Sequence, residues 1–573
     1  MTDIVSMATT RPLLQVRNLT VDFPLRTGTF RAVDNLSFAI EPGKTLCVVG
    51  ESGSGKSVTA RSILQIVDAP GRISSGSIIL NTANGTSIDL VKLNPRGREI
   101  RAIRGRDIAM IFQEPMASLS PVHTVGDQIM EALRLHTRMS KKEARAEAIS
   151  LLKQVEIPMP EKAIDRYAFQ YSGGMRQRAM IAMALACKPQ LLIADEPTTA
   201  LDVTTQAEIL DLIARLQKAY GMAVLFITHD MGVVAQIADD VLVMHNGLVK
   251  EYGPVEQIFH APKDDYTRML IGSVLKLEEK AEIRLARPPL DRTVAPILEL
   301  RNVSMAFGEV RALNDVSISL LPRETLGIVG ESGSGKTTMG RSIMRLIDPS
   351  AGEILYRRTD GEVIDLATAR GSALAAARRE LRMVFQDPFG SLNPRMTVAQ
   401  IIGEPLLVNG IARGRALDER VCRLMEQVGL DPKTRERYPH AFSGGQRQRI
   451  GIARAITLNP RIIVADEATS ALDVSVRSQV LDLLMRLQDE LGLAYIFISH
   501  DIGVIRYMCD RVGVMYKGRL VEVGDAEKVC NAPEHAYTQA LISAIPRPDP
   551  RDRDHSGRFR YVEPEVLKNG SLA

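Results

Sequence analysis

The chain has 573 residues, 45% of them hydrophobic and 24% charged, which is the balance of a folded globular protein and excludes a disordered or collagen-like one. Aromatic residues are 4% of the total with no Trp, which excludes a stacking platform for single-stranded nucleic acid. The net charge of +4 is too small for a surface that grips a polyanion throughout. Five scattered cysteines without a CxxC pair argue against a disulfide framework or zinc site and for a reducing compartment.

In chain order, residues 1–10 carry no apolar core of a secretory signal and read as a tail. A first domain is expected over 11–275. LCVVG at 46–50 is a short apolar run ending in Gly, as a buried strand does. Gly50-x4-Gly55-Lys56-Ser57 follows, then FQEPMASLSP from 112, a helical spacing of Ala144, Ala148, Leu151, Leu152 and Val155, and YSGGMRQR at 171–178. LLIAD at 191–195 and AVLFIT at 223–228 read as further buried strands, and APKDDYT at 261–267 closes the copy. The longest apolar run, Ala179 to Cys187, stops at Lys188-Pro189, too short to cross a bilayer.

The charged, Pro-bearing stretch 276–295 is a linker, after which everything recurs over 296–546. GESGSGKT stands at 330–337, FQDPFGSLNP at 385–394, FSGGQRQR at 442–449, VADEATSALDV at 464–474, ISHD at 498–501 and APEHAYT at 532–538. Leu417, Val421, Leu424, Met425 and Val428 repeat the helical spacing. Residues 547–573 are polar and Pro-rich, a loosely held tail. Apolar strands alternating with helices predict an α/β fold with parallel sheets covered on both faces, twice over.

The Gly50–Ser57 and Gly330–Thr337 segments have P-loop spacing. Gly50, Ser52, Gly53 and Gly55, and likewise Gly330, Ser332, Gly333 and Gly335, let successive N–H groups converge on phosphate at a helix start. Lys56 and Lys336 would meet the β- and γ-phosphates, and the Ser57 and Thr337 hydroxyls would ligate Mg²⁺. A glycine-rich turn with a surface lysine is the bland reading of one copy; two copies in strand–loop–helix context leave it little room. Asp195 and Asp466 each end a strand, where a carboxylate reaches the P-loop metal through water. Glu196 and Glu467 follow and can polarise an attacking water, help worth ~10²–10⁴ in rate. An Asp–Glu pair is otherwise a common helix cap, but this one recurs in both copies.

The ordered set of P-loop, Gln113 or Gln386, SGG block, Asp–Glu strand end, ALD and a late histidine resembles the ATP-binding-cassette ATPases over nearly the whole chain. The resemblance implies two tandem P-loop domains, each a RecA-like α/β core with a helical signature subdomain, pairing head to tail within the chain. ATP with Mg²⁺ would then sit in two sites. The first would use Lys56, Ser57, Gln113, Asp195, Glu196 and His229, closed by Ser443 and Gly445. The second would use Lys336, Thr337, Gln386, Asp466, Glu467 and His500, closed by Ser172 and Gly174. Gln113 and Gln386 would share the metal with the hydroxyl and Asp of each site, and Asp202 and Asp473 would lie in loops crossing the interface. Phe307 would stack on adenine in the second site, and either Phe23 or Phe30 in the first. The signatures depart from the common LSGGQ: Met175 stands where Gln446 stands in the second copy.

Sequence around both glutamines and the closing APxxxYTxxL elements resembles the ATPases of di- and oligopeptide importers, and the fused form resembles bacterial glutathione- and peptide-import ATPases. That resemblance implies two integral membrane permease subunits, a periplasmic substrate-binding protein behind them, no nucleic acid, and a place at the cytoplasmic face of the bacterial inner membrane. No Cys follows Cys530, so an iron–sulfur cluster is not expected, nor is a maltose-type regulatory domain. The competing reading, a soluble tandem-cassette translation factor acting on ribosomes, expects a longer, helical, charged insert between the cassettes.

Overall fold

The computed structural model describes residues 11–26, 28–82, 85–114, 118–199, 201–278, 284, 287, 290–387, 390–470, 472–553, 559 and 561. The expected N-terminal tail and much of the linker and C-terminal tail fall outside these. The chain divides into two compact units. One comprises Met1–Leu201, Thr205–Gly272 and Pro546–Asp554; the other comprises Asp202–Thr204, Ser273–Ile545 and His555–Ala573. The expected domain end at 275 falls inside a helix, Asp265–Glu278, because the charged run that reads as linker begins on helix-forming residues.

In the first unit, strands β1 (Leu14–Leu25), β2 (Gly28–Ile40), β4 (Arg72–Asn81) and β5 (Ser87–Asp89) form an antiparallel sheet in the order β2-β1-β4-β5. Strands β3 (Thr45–Val49), β6 (Ile108–Ile111), β7 (Leu191–Asp195), β8 (Ala223–Ile227), β9 (Asp240–His245) and β10 (Leu248–Pro254) form a second sheet in the order β10-β9-β3-β8-β7-β6. Its pairs are parallel except at β9–β10, where an antiparallel edge closes it. Strands β3, β7 and β8 are buried at every residue, which is why they read as unbroken apolar runs rather than alternating ones.

The second unit repeats the plan. Strands β11 (Leu298–Phe307), β12 (Val310–Leu320), β14 (Ala351–Arg357) and β15 (Val363–Asp365) form an antiparallel sheet. Strands β13 (Thr325–Val329), β16 (Leu381–Val384), β17 (Ile462–Asp466), β18 (Ala494–Ile498), β19 (Arg511–Tyr516) and β20 (Arg519–Asp525) form the larger one, in the order β16-β17-β18-β13-β19-β20.

Between β6 and β7 the first unit inserts helices Val125–His136, Lys141–Gln154 and Gly173–Leu185. Thr124 caps the first, and Ser140 with Glu143 forms a capping box on the second. The second unit inserts Val398–Val408, Gly414–Gln427 and Gly444–Ile456 at the same place. Among the described residues no helix is long and apolar enough to cross a membrane.

Candidate functional site: two copies of a phosphate cradle

Strands β3, β7 and β8 run parallel, so their carboxyl ends meet at one edge of the sheet, where α/β folds place their ligands. At that edge β3 delivers Gly50, β7 delivers Asp195 and Glu196, and β8 leads to His229. Gly50 has φ +149°, and a Cβ there would stand 2.1 Å from Met244 O, so only glycine lets the loop leave the strand. Ser52 and Gly53 form the exposed crest of the loop, and Gly55 precedes the helix Lys56–Ile63. Gly330 repeats the case at φ +148° against Met515 O, with Ser332 and Gly333 exposed and Gly335 before Lys336–Ile343.

The Lys56 ammonium donates to Gly50 O and Glu51 O, both at 2.8 Å; Lys336 donates to Gly330 O at 2.8 Å and Glu331 O at 2.7 Å. Ser57 Oγ donates to Asp195 Oδ1 at 2.9 Å and Thr337 Oγ1 to Asp466 Oδ1 at 3.0 Å. Gln113 Nε2 donates to Glu196 Oε2 at 2.9 Å and Gln386 Nε2 to Glu467 Oε2 at 2.7 Å. His229 Nδ1 and His500 Nδ1 each stand 3.4 Å from a carboxylate oxygen of the same glutamates. In the first unit Thr199 Oγ1 adds a bond of 2.9 Å to Glu196.

The adjacent carboxylates are driven apart. Burial raises Asp195 and Asp466 above the usual range, against the hydrogen bonds from Ser57 and Thr337. Burial acts on Glu196 in the same sense, but the His229 contact and charge, with Thr199 and Lys56, outweigh it and hold Glu196 at about 2. Glu467 is lowered likewise, His500 and Lys336 overcoming burial. Each site thus keeps one glutamate ionised, acceptor-only and aimed by three side-chain contacts or two, the arrangement of a group that orients water.

Both glutamates sit in the left-handed region, φ 45° for Glu196 and 46° for Glu467. Their N–H groups are tied to Ile227 O at 3.0 Å and Ile498 O at 2.9 Å. Non-glycine residues there carry strain of roughly 1–3 kcal/mol, which persists where the surroundings over-determine it.

The hydroxyl, carboxylate and amide oxygens of Ser57, Asp195 and Gln113, and of Thr337, Asp466 and Gln386, are the hard donors Mg²⁺ takes. Mg²⁺ uses one or two protein groups and completes its shell with phosphate and water. Among the described residues no group of three or more His, Cys, Asp or Glu could hold a metal ion.

Six expected residues remain, of which Asp202 lies near enough to Lys336 for its charge to act on that ammonium. Ser172 begins the helix Gly173–Leu185 with Gly174 in its first turn, and Ser443 begins Gly444–Ile456 with Gly445 likewise. Asp202 accepts from Thr204 Oγ1 at 2.7 Å, and Asp473 precedes the helix Val474–Leu491. Of the aromatic candidates, Phe307 is 52% exposed and Phe30 53%. Phe23 pairs directly across the hairpin from Phe30 and packs against the core, where a Cβ on Gly71 would stand 2.6 Å from its ring.

Sequence reasoning passed over two tyrosines. Tyr266 and Tyr537, in the APxxxYT elements, accept hydrogen bonds from the N–H groups of Glu51 and Glu331 in the P-loops. The signal was present in the constant spacing of those elements, which reads only as a domain ending.

The chain is similar to known proteins over most of its length. Residues 33–199 and 313–470 match the family described as "ABC transporter". Residues 250–295 and 521–570 match "Oligopeptide/dipeptide transporter, C-terminal region". The chain is 48% identical over 568 residues to the glutathione import ATP-binding protein GsiA of Escherichia coli strain K12, covering 94% of this chain and 90% of that protein. It is 47% identical over 571 residues to the protein of the same name from Pectobacterium atrosepticum, with the same coverage. Among solved structures it is similar to cbiO1 from Clostridium perfringens, part of the cbiONQ transporter complex, with 27% identity and a TM-score of 0.38 over 43% of this chain and 96% of that one.

Proposed function

The chain belongs to the ABC transporter family, as an ATP-binding ATPase, and we propose that it drives a binding-protein-dependent importer of small peptides, of the dipeptide, oligopeptide and glutathione class. The observation that carries the cargo class is the match of both closing elements to the oligopeptide/dipeptide transporter C-terminal region. The names of the glutathione-import relatives support the same class.

In this reading the nucleotide-binding domains are 11–275 and 296–546, joined by 276–295. Each ATP lies between the P-loop of one domain and the signature of the other, so Ser443 and Gly445 complete the first site and Ser172 and Gly174 the second. The loop N–H groups and Lys56 or Lys336 neutralise the phosphates. Ser57 or Thr337, with the neighbouring Asp and Gln, would hold Mg²⁺, which would supply charge neutralisation at the phosphates.

Glu196 and Glu467, kept ionised, accept a hydrogen bond from the attacking water and orient it in line. Gln113 and His229 hold the two oxygens of Glu196 separately, whereas Gln386 and His500 both meet Oε2 of Glu467. Asp202 and Asp473 carry the pairing surface between the domains. Phe307 stacks on adenine in the second site and Phe30, the exposed ring of its pair, in the first. Hydrolysis removes the γ-phosphate that bridges the two halves and lets them part.

The partners in this reading are two integral membrane permease subunits and, through them, a periplasmic binding protein, with the chain held at the cytoplasmic face of the inner membrane. Affinity purification of the full chain from its host in mild detergent tests it. Two polytopic membrane proteins in stoichiometric amount are expected; ribosomal subunits without a membrane partner would overturn the transport reading in favour of a translation factor.

A further inference from the structure

We propose that Tyr266 and Tyr537 are positioning residues of the two nucleotide sites, each fixing the first peptide of its P-loop through the phenol oxygen. The inference rests on the nucleotide-site reading above. The peptide linking Gly50 to Glu51 is held from both ends: its N–H donates to Tyr266 Oη at 3.3 Å, and its C=O accepts from Lys56 Nζ at 2.8 Å. The peptide linking Gly330 to Glu331 repeats this, with 3.1 Å to Tyr537 Oη and 2.8 Å from Lys336 Nζ. A trans peptide points its N–H and C=O in opposite directions, so a grip on one sets where the other points. The carbonyl in question carries the lysine that has to reach phosphate. With the N–H anchored, the peptide plane cannot rotate as that lysine moves, and the loop enters binding already ordered.

The tyrosines come from 215 and 206 residues away in sequence, so no local turn chemistry accounts for a contact made twice. Each ring is itself held. Tyr266 stacks on His245 at 4.2 Å between centroids and 22° between planes. Tyr537 meets Tyr516 at 4.4 Å, and Tyr561 closes on both by its edge, 5.4 Å from Tyr516 and 5.7 Å from Tyr537. Tyr537 is 1% exposed, and burial pushes its phenol well above the ordinary range, so it stays a neutral hydroxyl. The element matched as the oligopeptide/dipeptide transporter C-terminal region therefore touches the phosphate loop at its first peptide, which gives that element a hand in nucleotide affinity.

The test uses the full chain carrying Tyr266→Phe, Tyr537→Phe and both together, with Lys56→Ala/Lys336→Ala as the reference. Equilibrium ATP binding, the KM and kcat of ATP hydrolysis, and melting with and without ATP are measured. Loss of the two hydroxyls is expected to weaken ATP binding and raise KM about fivefold, the worth of one ordinary hydrogen bond. The kcat stays within about twofold, and melting without ATP falls by no more than one buried hydrogen bond is worth. Tyr537→Phe has the larger single effect, being the more buried. A hydroxyl that only stabilises the fold would lower melting and leave ATP binding and KM in place, and that result overturns the proposal. So does unchanged binding in the Phe variants while the Lys variants lose it, which leaves the nucleotide site standing. If the Lys variants also bind normally, the site reading and this inference fall together.

Discussion

In the first unit the signature helix starts at Ser172, whose hydroxyl accepts from Met175 N–H. It is fastened further along by Arg178, ion-paired to Glu156 at 3.1 Å and Glu208 at 2.7 Å. In the second unit Ser443 accepts from Gln446 N–H, and Gln446 Oε1 returns the bond to Ser443 N–H at 3.0 Å, closing a capping box that methionine cannot make. There Arg449, the counterpart of Arg178, bonds Val428 O and Gln479 in place of a carboxylate among the described residues. Both helix starts carry a serine cap; the first adds ion pairs further along and the second completes the box. The groups around the P-loops drifted less: hydroxyl to Asp, Gln to Glu and His to Glu distances recur within 0.2 Å between the units, although Thr199 adds its bond to the carboxylate of Glu196 in the first unit alone. The shared contacts at the P-loops keep their partners, whereas the groups that hold a helix in place have been exchanged for others.

The sharpest way to break that equivalence is at the glutamates. Glu196→Gln with Glu467→Gln is expected to lower steady-state ATP hydrolysis by ~10²–10⁴ while ATP still binds. Substantial turnover by that double variant would remove both residues from the role. Each single variant then reports whether the matched geometries turn over alike, and equal residual rates are expected.

A second probe is pH. His229 contributes most of what opposes burial at Glu196, with Thr199 and Lys56 adding to it, so in His229→Ala the carboxyl rises above its value of about 2. Activity that needs the ionised form is lost as pH falls through that pKa, so the acid limb of the pH–rate profile moves to higher pH. In stability terms the depressed carboxylate contributes fully above 4.5, its ordinary value, and the contribution fades as pH falls toward about 2. An unmoved acid limb in His229→Ala contradicts the assignment.

At the adenine end, Phe30→Ala and Phe307→Ala should each raise the KM for ATP several-fold, the size of an aromatic stacking contact. Phe23→Ala should instead lower the melting temperature, since its ring packs against the core. The smallest effects lie at the helix caps. Met175→Gln is expected to stabilise the first unit by about 0.5–1 kcal/mol, and Gln446→Met to destabilise the second by a similar amount. Amide hydrogen exchange at the two helix starts reads both. Glu208→Gln, removing a half-exposed partner of Arg178, should cost ~1 kcal/mol or less.

The P-loops, the Asp–Glu pairs and the late histidines were legible from residue types and spacing, because phosphate binding demands glycine, lysine and hydroxyl at fixed intervals on a strand–loop–helix frame. The strands β3, β7 and β8 and their counterparts were legible as unbroken apolar runs. The antiparallel sheets were not: β1 and β11 carry register shifts in mid-strand, which blur a period of two. Nor was the choice between Phe23 and Phe30, which turns on which ring of a cross-strand pair packs inward. The left-handed backbone of Glu196 and Glu467 and the tyrosine contacts to the loops depend on distant chain segments, and single-sequence periodicity carries no record of those.

The winding of the chain at Glu196 and Glu467 has a consequence for engineering. These are backbone positions where glycine would rest with least strain, and the chain places a long acidic side chain there twice. A library of variants sorted by heat resistance rewards relief of that winding, and one sorted by catalytic throughput rewards the carboxylate. The two sorts diverge at the same two codons, so thermostabilising campaigns on this chain should hold both codons constant.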